Sequence, residues 1–236
     1  MSFSLKKIFV IMASFYVAIF DAYSFAAGMV PETSVVLINV GDGESTINIT
    51  NTDENAALLY TSLENLPEDD EDFLIVTPPV TRVEAGEKQQ VRFIVQTDKP
   101  ITTQRLKRVS FEGIPHKDPN AGAQVAMTVR QNLPVLVTPA DLPRKLDPWT
   151  LLAWSVQGQH IVARNDSRYV VRMNQQINVM PAEITLTMPR TYLLPGQSVN
   201  LELPADFRWA PESTVRIYPA STYGYQVKQY DAPLTR

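Results

Sequence analysis

"ALLYTSLENLPEDDEDFLIVTPPVTRVEAGEKQQVRFIVQT", residues 57–97, contains three runs of strand length, "ALLYTSLE", "FLIVTPP" and "QQVRFIVQT", cut apart by the acids of "PEDDED" and the glycine of "EAGEK". Val, Ile, Thr, Phe and Tyr favour a pleated, half-buried backbone, and the acid and glycine clusters between them favour turns. The same texture extends both ways. "SVVLINV" and "STINITN" lie upstream on either side of "GDGE", and "KRVSFEGIP" and "QVAMTVRQNLPVLV" lie downstream on either side of "KDPNAGA". Seven strands are thus expected between Ser34 and Val137. That number of short strands, with turns at regular intervals over about a hundred residues, is the pattern of an immunoglobulin-like sandwich. The chain has no cysteine, so the sandwich must stand without a disulfide.

A change of texture follows. "TPADLPRKLDP", residues 138–148, carries Pro139, Pro143 and Pro148 in a charged setting and reads as a linker. Beyond it "WTLLAWSV", "HIVARND", "YVVRMNQQINV", "EITLTMP", "TYLLPGQSVNLELP", "TVRIYPA" and "YGYQVKQY" form a second set of strands, with Trp149 and Trp154 as packing anchors. The expected organisation is a first domain over 27–138, a linker over 139–148 and a second β-sandwich over 149–236. The fold class is all-β.

Composition narrows the function. Of 236 residues, 44% are apolar and 19% charged, the balance of a packed globular chain. A net charge of −4, with basic residues grouped only at Lys6-Lys7 and in "RLKR" (105–108), argues against nucleic-acid binding. "RLKR" itself reads as a solvated strand edge that resists self-pairing. At the N-terminus, Lys6 and Lys7, the apolar run Ile8–Phe20 and the small residues Ser24 and Ala26 have the layout of a secretory signal peptide over 1–26. That run is too short to cross ~30 Å of hydrocarbon as a helix, and no membrane span is expected in the mature chain.

Catalytic and metal chemistry find little to work with. The absence of cysteine removes thiolate zinc sites and thiol nucleophiles, and only His116 and His160 could supply imidazole. There is no phosphate-binding glycine loop and no G-x-S-x-G. "PEDDED" lacks the glycine and terminal glutamate of an EF-hand loop and reads as a solvated turn. No enzyme, cofactor or metal is expected.

One stretch asks for a partner. In "VAMTVRQNLPVLVTP", residues 125–139, Val125, Met127 and Val129 alternate with Ala126, Thr128 and Arg130, and Leu133, Val135 and Val137 continue the first row. Period-two alternation puts that row on one face. Either the row packs inside its own domain or it serves another molecule.

Several segments resemble one family. "VTPPVTRVEAGEKQQVRF" (76–93), "NITNTDENAALLY" (48–60), "FEGIP" (111–115) and "ARNDSRYVVRMN" (163–174) are similar to stretches of the periplasmic pilus chaperones of the chaperone–usher pathway, the PapD-like family. The resemblance implies two immunoglobulin-like domains set at an angle. It also implies that Val125, Met127 and Val129 insert, by donor-strand complementation, into the groove of a pilus subunit whose sandwich lacks its last strand. The loaded chaperone would then deliver the subunit to an outer-membrane usher. The loop 116–124, before that strand, would order against the subunit. The other readings are a structural pilus subunit or adhesin, and an exported carbohydrate-binding β protein. "AGMVPE", before Thr33, is too short to donate a strand as a subunit would, and the aromatic residues sit in apolar strand patterns.

The match also breaks in places. Family members hold the subunit's C-terminal carboxylate with a first-strand arginine and a last-strand lysine, and Ser34 and Pro134 stand at those positions here. Thr138 and Thr222 stand where a charged interdomain lock is expected, so apolar packing and the Pro-rich hinge should join the domains. Arg130, on the same face as Pro134, becomes the candidate carboxylate anchor, with Arg92 second and Arg82 and Arg108 behind it.

Overall fold

The computed structural model describes residues 28–115, 128–205, 207–210 and 212–235. The segment 1–26 expected to be a signal peptide, the loop 116–124, Val125 and Met127 lie outside them. Nine strands build the first sandwich: β1 (Met29–Pro31), β2 (Val36–Asn39), β3 (Glu44–Asn51), β4 (Ala57–Glu64), β5 (Leu74–Thr77), β6 (Val80–Val83), β7 (Lys88–Val95), β8 (Arg105–Pro115) and β9 (Arg130–Thr138). One sheet has the order β1-β3-β7-β5 and the other β2-β9-β8-β4-β6. Alternation fixes what each strand gives to the space between the sheets. Ile47 and Ile49, Ala57 and Leu59, Val91 and Phe93, Val109 and Phe111 turn inward together.

Leu133, Val135 and Val137 belong to that same core. The downstream half of the apolar row is therefore used inside the domain. β1 and β6 were not anticipated. At three and four residues they are too short for alternation to declare itself, and β6 follows directly on Pro78-Pro79. Gly113 admits β1: a Cβ there would stand 3.1 Å from the Met29 side chain.

"RLKR" is not a solvated edge. β8 is hydrogen-bonded on both sides, to β4 and β9, and Lys107 has only 3% of its side chain exposed. "PEDDED" is not a free turn either, because Asp69 receives Arg105 and the Lys107 ammonium, the latter at 3.0 Å, and Glu71 receives Arg105 at 3.1 Å. Burial alone would raise the Asp69 carboxyl, but the hydrogen bonds from Arg105 and Lys107 outweigh it and hold it below the usual carboxylate range. The acids in the turn and the bases in the strand neutralise one another at close quarters, and neither partner is apparent to a local reading because they lie 34 to 38 residues apart.

The second sandwich contains β10 (Ala153–Gln157), β11 (His160–Arg164), β12 (Val171–Met173), β13 (Gln176–Met180), β14 (Ile184–Thr187), β15 (Tyr192–Leu193), β16 (Ser198–Glu202), β17 (Thr214–Ile217), β18 (Pro219–Ala220) and β19 (Tyr230–Pro233). Sheet β14-β13-β17-β19 faces sheets β10-β11-β16 and β15-β12-β18 across a core that includes Trp149, Trp154, Ile161, Ile177 and Met188. Both tryptophans are buried, as packing anchors should be.

The two sandwiches meet through a small apolar cluster. Val35, Leu66, Leu106 and Leu136 of the first pack with Val170 of the second, and Leu37, Tyr192 and Leu194 close over them. Polar contacts surround it. Gln104 receives the Val170 amide at 2.9 Å, and its own amide donates to the Arg168 carbonyl at 2.8 Å. Charge pairs stand around the apolar cluster: Arg168 donates to both oxygens of Asp141 at 2.8 and 2.9 Å, and Glu68 takes Arg190 and the Tyr192 hydroxyl. Thr138 and Thr222 are indeed not charged partners. They bond Gln104 and the Lys145 carbonyl instead.

Candidate partner-binding edge and cleft

β9 is paired unevenly. On one side β8 runs its whole length, from Glu112 opposite Arg130 to Arg105 opposite Val137. On the other side β2 joins, in parallel, only from Val135 to Thr138. Among the described residues no strand pairs with Arg130–Pro134 on that second side. The cause lies in the path of the first strand, which pairs with β3 in the opposite sheet as β1 and crosses at Glu32–Val35 to reach β9 as β2. An upstream half-edge of β9 is left open beside the gap between the sheets.

Val129 stands at the mouth of that gap, half-buried beside Gly28, whose added Cβ would lie 3.7 Å from the valine's. By parity it shares a face with Leu133, which is already in the core.

On the opposite face of β9 are Arg130, Asn132 and Pro134, with Leu136 at the cleft end. Arg130, 52% exposed, pairs with Glu64 of β4. That carboxylate also accepts the Ser110 hydroxyl at 2.7 Å and the Asn132 amide at 3.0 Å. The Ser110 bond, acting against the cost of partial burial and aided by Asn132 and by the charges of Arg130 and Arg108, lowers the Glu64 pKa. Arg92, 51% exposed, lies on β7 in the other sheet with Glu44 at 3.5 Å. Each of the two sequence candidates for the carboxylate anchor thus already has a carboxylate of its own.

Two other arginines differ from them. Arg108 on β8 lies directly across from Pro134 in the ladder and donates to the side chain of Asn132 and, at 3.0 Å, to its carbonyl. Arg172 on β12 donates to the carbonyls of Ser221 at 2.8 Å and Thr222 at 3.2 Å. Among the described residues neither has a carboxylate within ion-pair distance. Burial first, and the like charge of Arg108 second, push the Arg172 pKa down. The sequence ranked Arg108 behind Arg130 and Arg92, and its register opposite Pro134 emerges only in the β8–β9 ladder. Arg172 was not among the candidates.

Ser34 sits in the crossover between β1 and β2, and its hydroxyl donates to the Tyr223 carbonyl at 3.1 Å. Gly224, at φ +86°, is pressed against it: a Cβ would fall 2.6 Å from the Ser34 hydroxyl and 2.8 Å from Val35. The loop 221–225 packs against Ser34.

A family model described as "Pili and flagellar-assembly chaperone, PapD N-terminal domain" matches residues 28–143. A fimbrial chaperone of Escherichia coli K12, YhcA, is 46% identical over 208 residues, covering 88% of this chain and 91% of the relative. The chain belongs to the PapD-like family of pilus-assembly chaperones. Solved chaperones agree in fold along nearly the whole chain. DraB of E. coli is 20% identical with a TM-score of 0.69, over 88% of this chain and 98% of its own. SafB of Salmonella enterica, solved with the SafA pilin, is 17% identical with a TM-score of 0.67, over 88% and 97%. CsuC of Acinetobacter baumannii, solved with the tip adhesion subunit CsuE, is 16% identical with a TM-score of 0.60, over 89% and 99%. In this chaperone the open half-edge of β9 lies within one sandwich, and the cleft lies between both.

Proposed function

We propose that this chaperone works in the periplasm, reached through a cleaved signal peptide, and holds pilus subunits by lending them the upstream half of β9. Val125, Met127 and Val129 fill the subunit's groove while the backbone of Arg130–Pro134 pairs with the subunit's edge strand. The single observation that carries this reading is the half-edge left free where β2 joins β9 only at Val135. An exposed edge templates pairing with another chain, and a subunit exported without its last strand has an edge and a groove to be covered. Methionine in the row suits an irregular pocket that another subunit's segment later takes over. SafB and CsuC, with the same fold, are each solved with a subunit. Transfer to an outer-membrane usher completes the role.

The test is co-expression with pilus subunits of its own genome. Met127→Asp should abolish co-purification while the chaperone's own unfolding transition stays where it was, because on this reading the row serves the subunit and not the chaperone's own core. A charged variant that retains the subunit at wild-type yield overturns the donor-row assignment.

A further inference from the structure

Ser110 of β8 is 1% exposed although its neighbours Val109 and Phe111 are the ones in the core, so that by alternation it stands on the outer face of its sheet. Side chains of three strands cover it there. Its hydroxyl donates to Glu64 of β4 at 2.7 Å and accepts the Asn132 amide of β9 at 2.9 Å. The Glu64 carboxylate also accepts that amide on its other oxygen, at 3.0 Å, and takes the Arg130 guanidinium on the oxygen that Ser110 uses. Arg108, opposite Glu64 in one ladder and Pro134 in the other, donates to the Asn132 side-chain oxygen. Both ends of the Asn132 amide are thus engaged.

The place of these ties points to a role. β9 begins at Arg130, and from there to Pro134 a neighbouring strand holds it on one side only. A stretch bonded along one edge opens more readily than one bonded along both. Arg130 and Asn132 are outer-face residues of that stretch, and both are tied to Glu64. Side chains stand roughly perpendicular to a sheet, so ties on the outer face leave the open edge clear for a second strand. The three donors call for a carboxylate: an amide at the same place would turn its own N–H groups toward one of them. Glu64 is kept ionised for this, chiefly by the Ser110 bond.

We propose that Glu64 is a positioning residue for subunit binding, which sets the open half of β9 in extended form before a partner strand arrives. The proposal rests on the subunit-holding reading above and makes Arg130 part of this brace, not a free cation. A strand already in its bound form loses less freedom when the partner pairs with it. If Arg130 and Asn132 had to be ordered at the moment of binding, affinity should fall by roughly fivefold to a hundredfold.

The experiment uses the full mature chain and a pilus subunit of its own genome, with Glu64→Gln, Asn132→Ala, their combination, and Asn165→Ala as a control that loosens the second sandwich only. In the free chain, hydrogen–deuterium exchange of the β8-bonded amides between Arg130 and Leu133 should quicken in Glu64→Gln and Asn132→Ala and stay at the wild-type rate in Asn165→Ala. Subunit affinity should fall in the first two by the factor above, with no further loss on combination, and hold in the control. With subunit bound, protection of the stretch should be the same in all. Unchanged exchange in Glu64→Gln overturns the proposal. So does quicker exchange with undiminished affinity. An affinity that follows the melting temperature through every variant, Asn165→Ala included, reduces Glu64 to a structural residue and overturns it too. If Glu64→Gln quickens exchange and weakens binding while Met127→Asp leaves binding intact, the positioning stands and the donor row fails. The reverse pattern removes the positioning alone.

Discussion

Asn51 and Asn165 are both fully buried and perform the same task in the two sandwiches. Asn51 donates its amide to the carbonyls of Asn55 and Val83, and its side-chain oxygen accepts the Asp53 amide; Asn165 donates to Tyr169 and Leu193 and accepts from Ser167. The backbone repeats as well, with Gly86 donating to the carbonyl of Asn51 and Gly196 to that of Asn165. Each asparagine buckles a turn onto a neighbouring strand. Buried carbonyls left without donors are costly, so Asn51→Ala and Asn165→Ala should each lower stability by about 1–3 kcal/mol, read as a shift of the urea midpoint. "NITNTDENAALLY" and "ARNDSRYVVRMN" were legible as segments similar to the family, but the inward-facing role of their asparagines was not. The residues that each asparagine bonds on the far strand, Val83 and Leu193, are 32 and 28 positions away. Lys107 was hidden for the same reason: a buried lysine can be recognised only once Asp69 is beside it.

Among the elements, β4 begins and ends where alternation put it, at Ala57 and Glu64. Five residues of in-and-out patterning, Ala57 to Thr61, leave little freedom of register, since a slip by one would expose Leu59 and bury Tyr60. β9 was legible in pattern but not in allegiance. Leu133 and Val129 share one face, and Leu133 already packs in the core although the backbone edge stays open as far as Pro134, where β2 has not yet joined. The acidic loop before β5 was the clearest misreading, because a run of acids looks solvated until Arg105 and Lys107 are placed under it. Its pH behaviour follows. Asp69 and Glu71, both lowered by partners on or near β8, and Glu64, lowered chiefly by Ser110, contribute stability that is fully present above the unfolded carboxylate range. That contribution is lost as pH falls through the depressed folded values. Thermal unfolding should therefore be flat between about pH 5 and 8 and decline below about pH 4. In Asp69→Asn the acid decline should be shallower. A steep loss near neutrality would contradict the assignment of these carboxylates.

For the whole molecule, the question is what keeps two sandwiches at one angle. The Arg168–Asp141 pair has 41% and 70% of its side chains exposed, and pairs of that kind contribute at most about 1 kcal/mol. Leu106 and Leu136 are buried in the shared apolar cluster. Leu106→Ala or Leu136→Ala should cost about 2–5 kcal/mol and Asp141→Asn far less, as calorimetry on the mature chain would measure. The two-sandwich layout was legible because each half carries its own strand pattern, and the charge pairs at the hinge were not, because they join distant loops. All of this architecture serves the free half-edge of β9. Hydrogen–deuterium exchange of the chaperone alone and with bound subunit tests that claim most directly. Amides of Arg130–Leu133 that do not bond to β8 should exchange quickly in the free chain and become strongly protected on binding. Unchanged exchange there, with protection appearing instead along another edge such as β5 or β14, would contradict it.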